Sequence, residues 1–492
     1  MTDSVNAYDA VPYVAQVIEG SNPAYLHAVA RLFGVRPPDY RRGRVLELGC
    51  AGGLNLVALA EGIPDASCVG IDLSAGQIDQ ARSLAAAAGI ANAVFHQADI
   101  MEMAVEPQSA DLIICHGVLS WVGPAVQERI FQILGTALAP GGLALLSYNT
   151  LPGWHRVRAV RDMMRFHCAR FSDPETKVAE AIRLLEAVEA ATPEDEAGYR
   201  ELVAAELALL RTREAGYILH DHLEEENHQF YVTEVIARAE QAGLQYVADV
   251  QLPTMADTKA AEPIATLLGG AETLVQREQY YDFLRNRRFR STLLCRAGAP
   301  LVRDPDAGAL SDMHVASRLT LVEAPDRRRP DRPYAFRGLS GGTLVSRNPG
   351  LTALCLGLVE SAGRPVAVGA LMTAASLRAR VPIAQIRHLF AELGMKLVFD
   401  GALTPLSWGS PEVAAVSARP RATAAARAVC GRAATAPNAR HHNIPLTAPQ
   451  RAVLALCDGS RDPAAIAAAI PAPQGQVTET LRALCARGFL VA

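Results

Sequence analysis

Residues 44–72 read RVLELGCAGGLNLVALAEGIPDASCVGID. Val45, Leu46 and Leu48 make a short apolar run that predicts a strand, and Gly49, Gly52 and Gly53 predict a tight turn directly after it. A helical pattern follows. A second apolar run (Cys68, Val69, Gly70, Ile71) then ends on Asp72. Strand, glycine loop, helix, strand, acid is the order that lets a backbone approach a nucleoside closely and grip its ribose with a carboxylate.

Two cofactor chemistries share this opening. The dinucleotide fingerprint GxGxxG begins its turn on a glycine, whereas here the frame is Glu47-x-Gly49-x-x-Gly52. A carboxylate at that first position repels a pyrophosphate and suits the ammonium group of S-adenosyl-L-methionine. Asp72 is placed to accept from ribose hydroxyls. Asp99, after the next strand, is placed to reach the adenine amino group, with Leu73 and Ile100 flanking the ring. The candidate cofactor residues are Tyr13, Glu47, Gly49, Cys50, Ala51, Gly52, Asn55, Asp72, Leu73, Gln77, Asp99, Ile100, His116 and Gly117. The phosphate-loop pattern GxxxxGK[ST] is absent, which argues against nucleoside triphosphate hydrolysis.

Working outward, strands are expected at 44–48, 68–71, 93–96, 111–115 and 142–148. Helices lie between them, as at 74–88 and 124–138. This alternation predicts a parallel sheet covered on both faces. Residues 155–215 read as helix, rich in Ala, Glu and Arg. Farther on, Gly243 is expected to cap a helix ahead of a strand, and residues 271–299 give a helix leading into an apolar strand. The stretch 302–348 mixes Pro, Asp and Arg and reads as a linker or extended arm. A small domain is expected at 349–410, and 415–440 reads as helix or loose connector. Three short helices and a strand close the chain, suggesting a winged-helix-like module. The expected fold is α/β: a Rossmann-like domain at 1–154, a mostly helical α+β middle domain at 155–300, a small accessory domain with linkers at 301–414, and the winged-helix-like module at 415–492.

Composition sets outer limits. The 492 residues are half apolar and one-fifth charged, as in ordinary globular proteins, and the formal charge of −4 supplies no global attraction to nucleic acid or anionic membrane. Nine scattered cysteines without a CxxC pair argue against a disulfide framework or zinc ribbon and fit a reducing cytoplasm. MTDSVNAYDAVPY does not read as a signal peptide, and no apolar run is long enough to span a bilayer.

The motifs RVLELGCAGGLN, GIDLS, QADI and LAPGGLALLSYN resemble those of class I S-adenosylmethionine-dependent methyltransferases. More narrowly, YDAVPY, HGVLSWV, SYNTLPGWH, LHDHLEEENHQFY and YDFLRNRRFRSTLLC resemble a bacterial group in which that domain precedes a methyltransferase regulatory domain. The group includes protein-lysine methyltransferases acting on surface proteins. The resemblance extends to about residue 300. It implies S-adenosylmethionine as cofactor, a protein lysine as methyl acceptor, and accessory domains that dimerise or hold substrate. Two departures stand out: Ala51 occupies a position usually held by glycine or aspartate, and Gln229 stands where the family often has proline.

Methyl transfer is an in-line displacement that needs alignment and a neutral nucleophile. His116, Trp121, Tyr148 and Asn149 are the candidate catalytic residues: His116 to take a proton or orient the acceptor, Asn149 to offer its amide oxygen. Trp121, Tyr148, Trp154, Tyr8 and Tyr13 are candidate aromatic walls for an amine. Each has a structural counterpart: aromatic packing for the rings, a turn cap for Asp99, a solvated helix start for His220, His222 and His228, a linker feature for His441 and His442, and a solvated turn for Arg327–Arg329. No metal site is expected. The rival functions are a small-molecule methyltransferase with the same catalytic domain, and a non-catalytic S-adenosylmethionine sensor. The expected partners are a protein substrate or small-molecule acceptor and a second copy of the chain, with neither nucleic acid nor membrane.

Overall fold

The computed structural model describes residues 16–256, 262–305, 307–325 and 332–492. Tyr8, Tyr13 and the run Arg327–Arg329 lie outside the described residues.

The catalytic core begins with β1 (Arg44–Leu48), β2 (Ser67–Asp72), β3 (Ala93–Gln97), β4 (Ala110–Cys115) and β5 (Leu138–Thr150). All pair in parallel, in the order β3-β2-β1-β4-β5. Their near-continuous apolar runs are explained by helices on both faces. The helix Leu54–Gly62 is buried on most of its surface. The helix Ala75–Ala88 starts where the Ser74 hydroxyl accepts from the Gln77 amide at 3.1 Å, and it stops at Gly89 in a left-handed conformation.

The sheet does not end at residue 154. The helices Gly153–Cys168, Pro174–Ala191 and Ala197–Leu210 form a layer with its own core around Val160, Met164, Leu185, Val203 and Leu207. The chain then passes through a π turn (Ile218–Leu223) and returns to the sheet as β6 (Gln229–Phe230), β7 (Leu244–Asp249) and β8 (Phe289–Arg296). β8 runs antiparallel between β5 and β7, which makes the sheet eight-stranded and mixed. Residues 229–296 thus add three strands to the sheet begun by residues 44–150, and the three-helix layer lies between β5 and β6 in the chain. The join is charged. Buried Arg290 on β8 donates to Asp282 at 2.9–3.0 Å and to Glu278 at 3.0 Å, and it lies 3.3 Å from Asp249 on β7. Removing Arg290 would leave buried carboxylates without their shared cation.

Residues 302–348 are more than a linker. They supply β9 (His314–Ser317), β10 (Thr320–Glu323), β11 (Tyr334–Arg337) and β12 (Thr343–Ser346). β9 is the centre of a three-stranded sheet flanked by β13 (Val366–Ala367) and β14 (Leu403–Leu406), packed under helices Pro349–Glu360, Val368–Ala379 and Ile383–Phe399. Its core is continuous with that of the catalytic domain.

Residues 415–440 are likewise ordered, as β15 (Arg421–Ala422), the helix Ala424–Val429 and β16 (Thr435–Pro437). β16 pairs with β17 (Asn443–Pro445) as a hairpin. Helices Ala448–Leu456, Pro463–Ala469 and Gln474–Ala486 follow, and β18 (Leu490–Val491) pairs back onto β15. The three helices and closing strand match the sequence reading, but the hairpin precedes the helices. Among the described residues no helix is long and apolar enough to cross a membrane.

Candidate active site

A cavity of about 1610 Å³ opens at the carboxyl edge of β1, β2 and β4, where open α/β sheets bind ligands. The glycine turn forms one wall. Gly49 has φ +72°, and a Cβ there would meet Val118 Cγ2 at 2.4 Å, so no other residue fits. The Gly49 and Cys50 amides donate to the Ile71 carbonyl at 2.8 and 3.0 Å, closing the turn against the end of β2. Ala51 has φ +45°, a left-handed conformation that its Cβ disfavours. Its amide donates to Asp72 Oδ2 at 2.9 Å, while the Ser74 amide donates to Asp72 Oδ1 at 3.0 Å. Together they aim the Asp72 carboxylate along the cavity rim.

Glu47 ends β1 with its side chain buried. Oε1 accepts from Asn55 Nδ2 at 2.7 Å, and Oε2 has no hydrogen-bond partner. Burial pushes its pKa up to about 8, with the Asn55 hydrogen bond opposing and the nearby Asp72 charge adding to the rise. The carboxyl is thus mostly protonated at neutral pH until a cation arrives. Gln77 is buried on the cavity wall with neither amide atom partnered. Asp99 is exposed at the mouth, where its Oδ1 accepts from the Met101 amide at 2.8 Å, and Leu73 and Ile100 line the same rim. Gly117, at φ +70°, donates its amide to Ser147 Oγ at 2.8 Å. Buried unpartnered groups facing a cavity are costly unless a ligand completes them. A carboxyl awaiting a cation, an acid at the end of β2 and a close-approach glycine turn fit the aminoacyl and nucleoside parts of S-adenosylmethionine.

Deeper in, His116 stands edge-on to Phe289, with ring centroids 5.5 Å apart, and burial lowers its pKa to about 4. It is neutral at physiological pH. Trp121 and Trp154 pack edge to face at 6.2 Å, and both line the cavity. Asn149 lies on the same wall with its Nδ2 buried and unpartnered. His220, Asp221 and Arg288 also line the cavity. Burial raises the Asp221 pKa, and Arg288 pairs with Glu206 at 2.9 Å, which also holds His222 at 2.9 Å.

The site differs from the sequence reading in three respects. Tyr148 is not a cavity wall: strand alternation turns it to the opposite face of β5, where its hydroxyl meets Thr292 Oγ1 at 3.0 Å inside the core. Gly52 is buried behind the turn and does not line the cavity. His441 is no linker residue. It is buried, its Nε2 lies 2.9 Å from Asn55 Oδ1, and it forms part of the cavity wall with its neighbours Asn438 and Arg440. No local signal marks it, since the contact spans 386 residues. Phe289, also on the wall, lay within a motif read only for its resemblance. The His220 region holds no metal cluster: among the described residues no group of three or more His, Cys, Asp or Glu is arranged to hold an ion.

Residues 45–142 match the model of a methyltransferase domain, and residues 214–296 match that of a predicted methyltransferase regulatory domain. An uncharacterized protein of Rickettsia prowazekii, RP789, is 34% identical over 406 residues, covering 81% of this chain and 73% of that protein. The solved structure of PKMT2 from Rickettsia typhi in complex with AdoHcy is 25% identical, with a TM-score of 0.88 over 98% of this chain and 100% of that one. Trans-aconitate 2-methyltransferase from Paracidovorax citrulli is 38% identical over 109 residues, 22% of this chain and 39% of that protein. The chain belongs to the class I S-adenosylmethionine-dependent methyltransferases, in the branch that carries a methyltransferase regulatory domain. Its cofactor is S-adenosylmethionine.

Proposed function

We propose that the protein methylates a side-chain nitrogen of another protein, a lysine amine. The observation that carries this reading is the extent of the cavity. At about 1610 Å³ it is larger than the roughly 300–1,000 Å³ of a typical small-molecule site. Besides the cofactor residues its lining includes His116, Trp121, Trp154, Phe289 and Asp221. An aromatic and acidic lining of this kind suits a long amine-tipped side chain carried on a polypeptide. PKMT2 of Rickettsia typhi, similar over nearly its whole length, supports the reading, as does the motif resemblance to protein-lysine methyltransferases. The relative named for trans-aconitate matches only 22% of this chain and carries little weight for the acceptor.

Bound S-adenosylmethionine supplies a methyl group on a sulfonium. Glu47 would hold its ammonium, Asp72 its ribose, and Asp99 with Leu73 and Ile100 its adenine. The two tryptophan faces would seat the acceptor amine by cation–π contact. Asp221 would draw the ammonium into the cavity, and His116, held neutral by burial, would orient the deprotonated amine rather than carry its proton. The three-helix layer and the C-terminal module would frame the groove or pair two copies.

The test is incubation of the full chain with labelled S-adenosylmethionine and a protein lysate, followed by mass spectrometry. Label on lysine Nζ is expected. Label confined to small molecules would overturn the protein acceptor. Tight AdoHcy binding without turnover on any acceptor would favour the sensor.

A further inference from the structure

We infer that the tip of the β16–β17 hairpin is a working part of the cofactor site: His441 is a positioning residue that, through Asn55, holds Glu47 in register, so cofactor binding and docking of the C-terminal module are coupled. The inference rests on the cofactor assignment above.

The orientation of the Asn55 amide decides the matter. The Ile18 backbone amide lies 2.8 Å from Asn55 Oδ1. A backbone N–H can only donate, so the atom facing it must be oxygen. His441 Nε2, at 2.9 Å, then donates to the same oxygen, and the Ser21 hydroxyl approaches both, at 3.1 Å from Oδ1 and 3.3 Å from Nε2. With its oxygen surrounded by donors, the amide must turn Nδ2 to Glu47 Oε1, which leaves Oε2 buried without a partner. Ser21, Glu47, Asn55 and His441 are 0, 2, 4 and 5% exposed, so water does not substitute for any member.

The hairpin tip is built to present His441. Asn438 Oδ1 accepts from the Arg440 and His442 amides at 3.0 Å each, folding residues 438–442 into a tight turn with His441 at φ +64°. Three further ties fix the module to the catalytic domain. The Asn443 side chain bonds both backbone groups of Val17, at 3.3 and 2.7 Å. Asn22 Nδ2 donates to the Arg440 carbonyl at 3.4 Å. The Glu61 carboxylate caps the helix Ala424–Val429 by accepting from Ala424 and Ala425 at 2.6 and 3.0 Å. Any ligand that loads Glu47 therefore tightens a chain of contacts ending in the C-terminal module, and by linkage the reverse holds.

The experiment uses full-length protein and AdoHcy. By calorimetry His441→Ala should weaken AdoHcy about tenfold, the effect of losing a buried hydrogen bond of about 1.4 kcal/mol. His441→Gln, which can return a donor near the Nε2 position, should recover most of that loss. In wild-type protein, hydrogen exchange of residues 435–445 should slow on AdoHcy addition, a measurement that needs no variant to fold. Unchanged affinity in His441→Ala, or failure of AdoHcy to slow exchange in that segment, would overturn the coupling while leaving the cofactor assignment standing. No AdoHcy binding by the wild-type chain would overturn both.

Discussion

The cofactor cavity has two walls of opposite origin. One is the turn at residues 49–53 with Glu47 and Asp72. Its members are neighbours in sequence or on adjacent strands, and the hydrogen bond in it of widest sequence separation, from the Gly49 amide to the Ile71 carbonyl, spans 22 residues. The other is the hairpin tip at 438–442, reaching Asn55 across 386 residues. The first wall is fixed by backbone conformation, which glycine spacing imposes directly. The second exists only after three other structural units have packed. A local wall can be recognised from a motif, whereas a remote wall can be altered by anything that disturbs docking.

The largest expected effect bears on the local wall. Gly49→Val places a branched side chain at φ +72° and against Val118, and it should abolish AdoHcy binding, a loss on the order of a hundredfold or more by calorimetry. Measurable binding within a factor of ten of wild type would show that the turn is not the close-approach surface described here.

Glu47 joins the two walls and gives the next effect. Its pKa of about 8 means the unliganded carboxyl carries a proton at pH 7. A raised acid pKa contributes stability that is present below the ordinary carboxyl value and lost as pH rises toward 8, because the native state holds a proton the unfolded state has released. Pairing with a cationic ligand requires ionisation, so binding at pH 7 should release about one proton, and affinity should rise between pH 6 and 8. Calorimetry in buffers of different ionisation enthalpy measures the release. Glu47→Gln should remove both the release and the pH slope, and a pH-independent wild type would sink the assignment.

The smallest effect concerns Ala51. Replacing it by glycine removes a Cβ from the left-handed region and should stabilise the protein by about 0.5–1 kcal/mol, seen as a small rise in thermal midpoint. A fall in midpoint would mean that the Ala51 methyl packs usefully.

Much of the first sheet was legible before any coordinates. β1 through β5 fall where alternating apolar and helical runs place them, and the acids at 47 and 72 stand at strand ends because the turn chemistry around them leaves no other position. The continuation of the sheet past residue 154 was not legible: β7 and β8 carry ordinary apolar strand patterns, and nothing in such a pattern says which sheet the strand will join. The 302–348 strands were hidden because each is only four residues long and the segments between them carry the Pro, Asp and Arg that otherwise mark linkers. Tyr148 was misplaced because an aromatic beside a site residue on a strand points to the other face.

By itself the sequence determined the turn, the acid that selects a sulfonium nucleoside over a diphosphate, and the family, because those depend on backbone conformation and charge within a few dozen residues. Only the tertiary structure decided that the C-terminal module reaches into the cofactor wall and that the amide of Asn55 faces Glu47. A hydrogen bond between residues 386 apart has no signature in either segment; it exists because the packing of everything between them brings two buried polar groups within 2.9 Å.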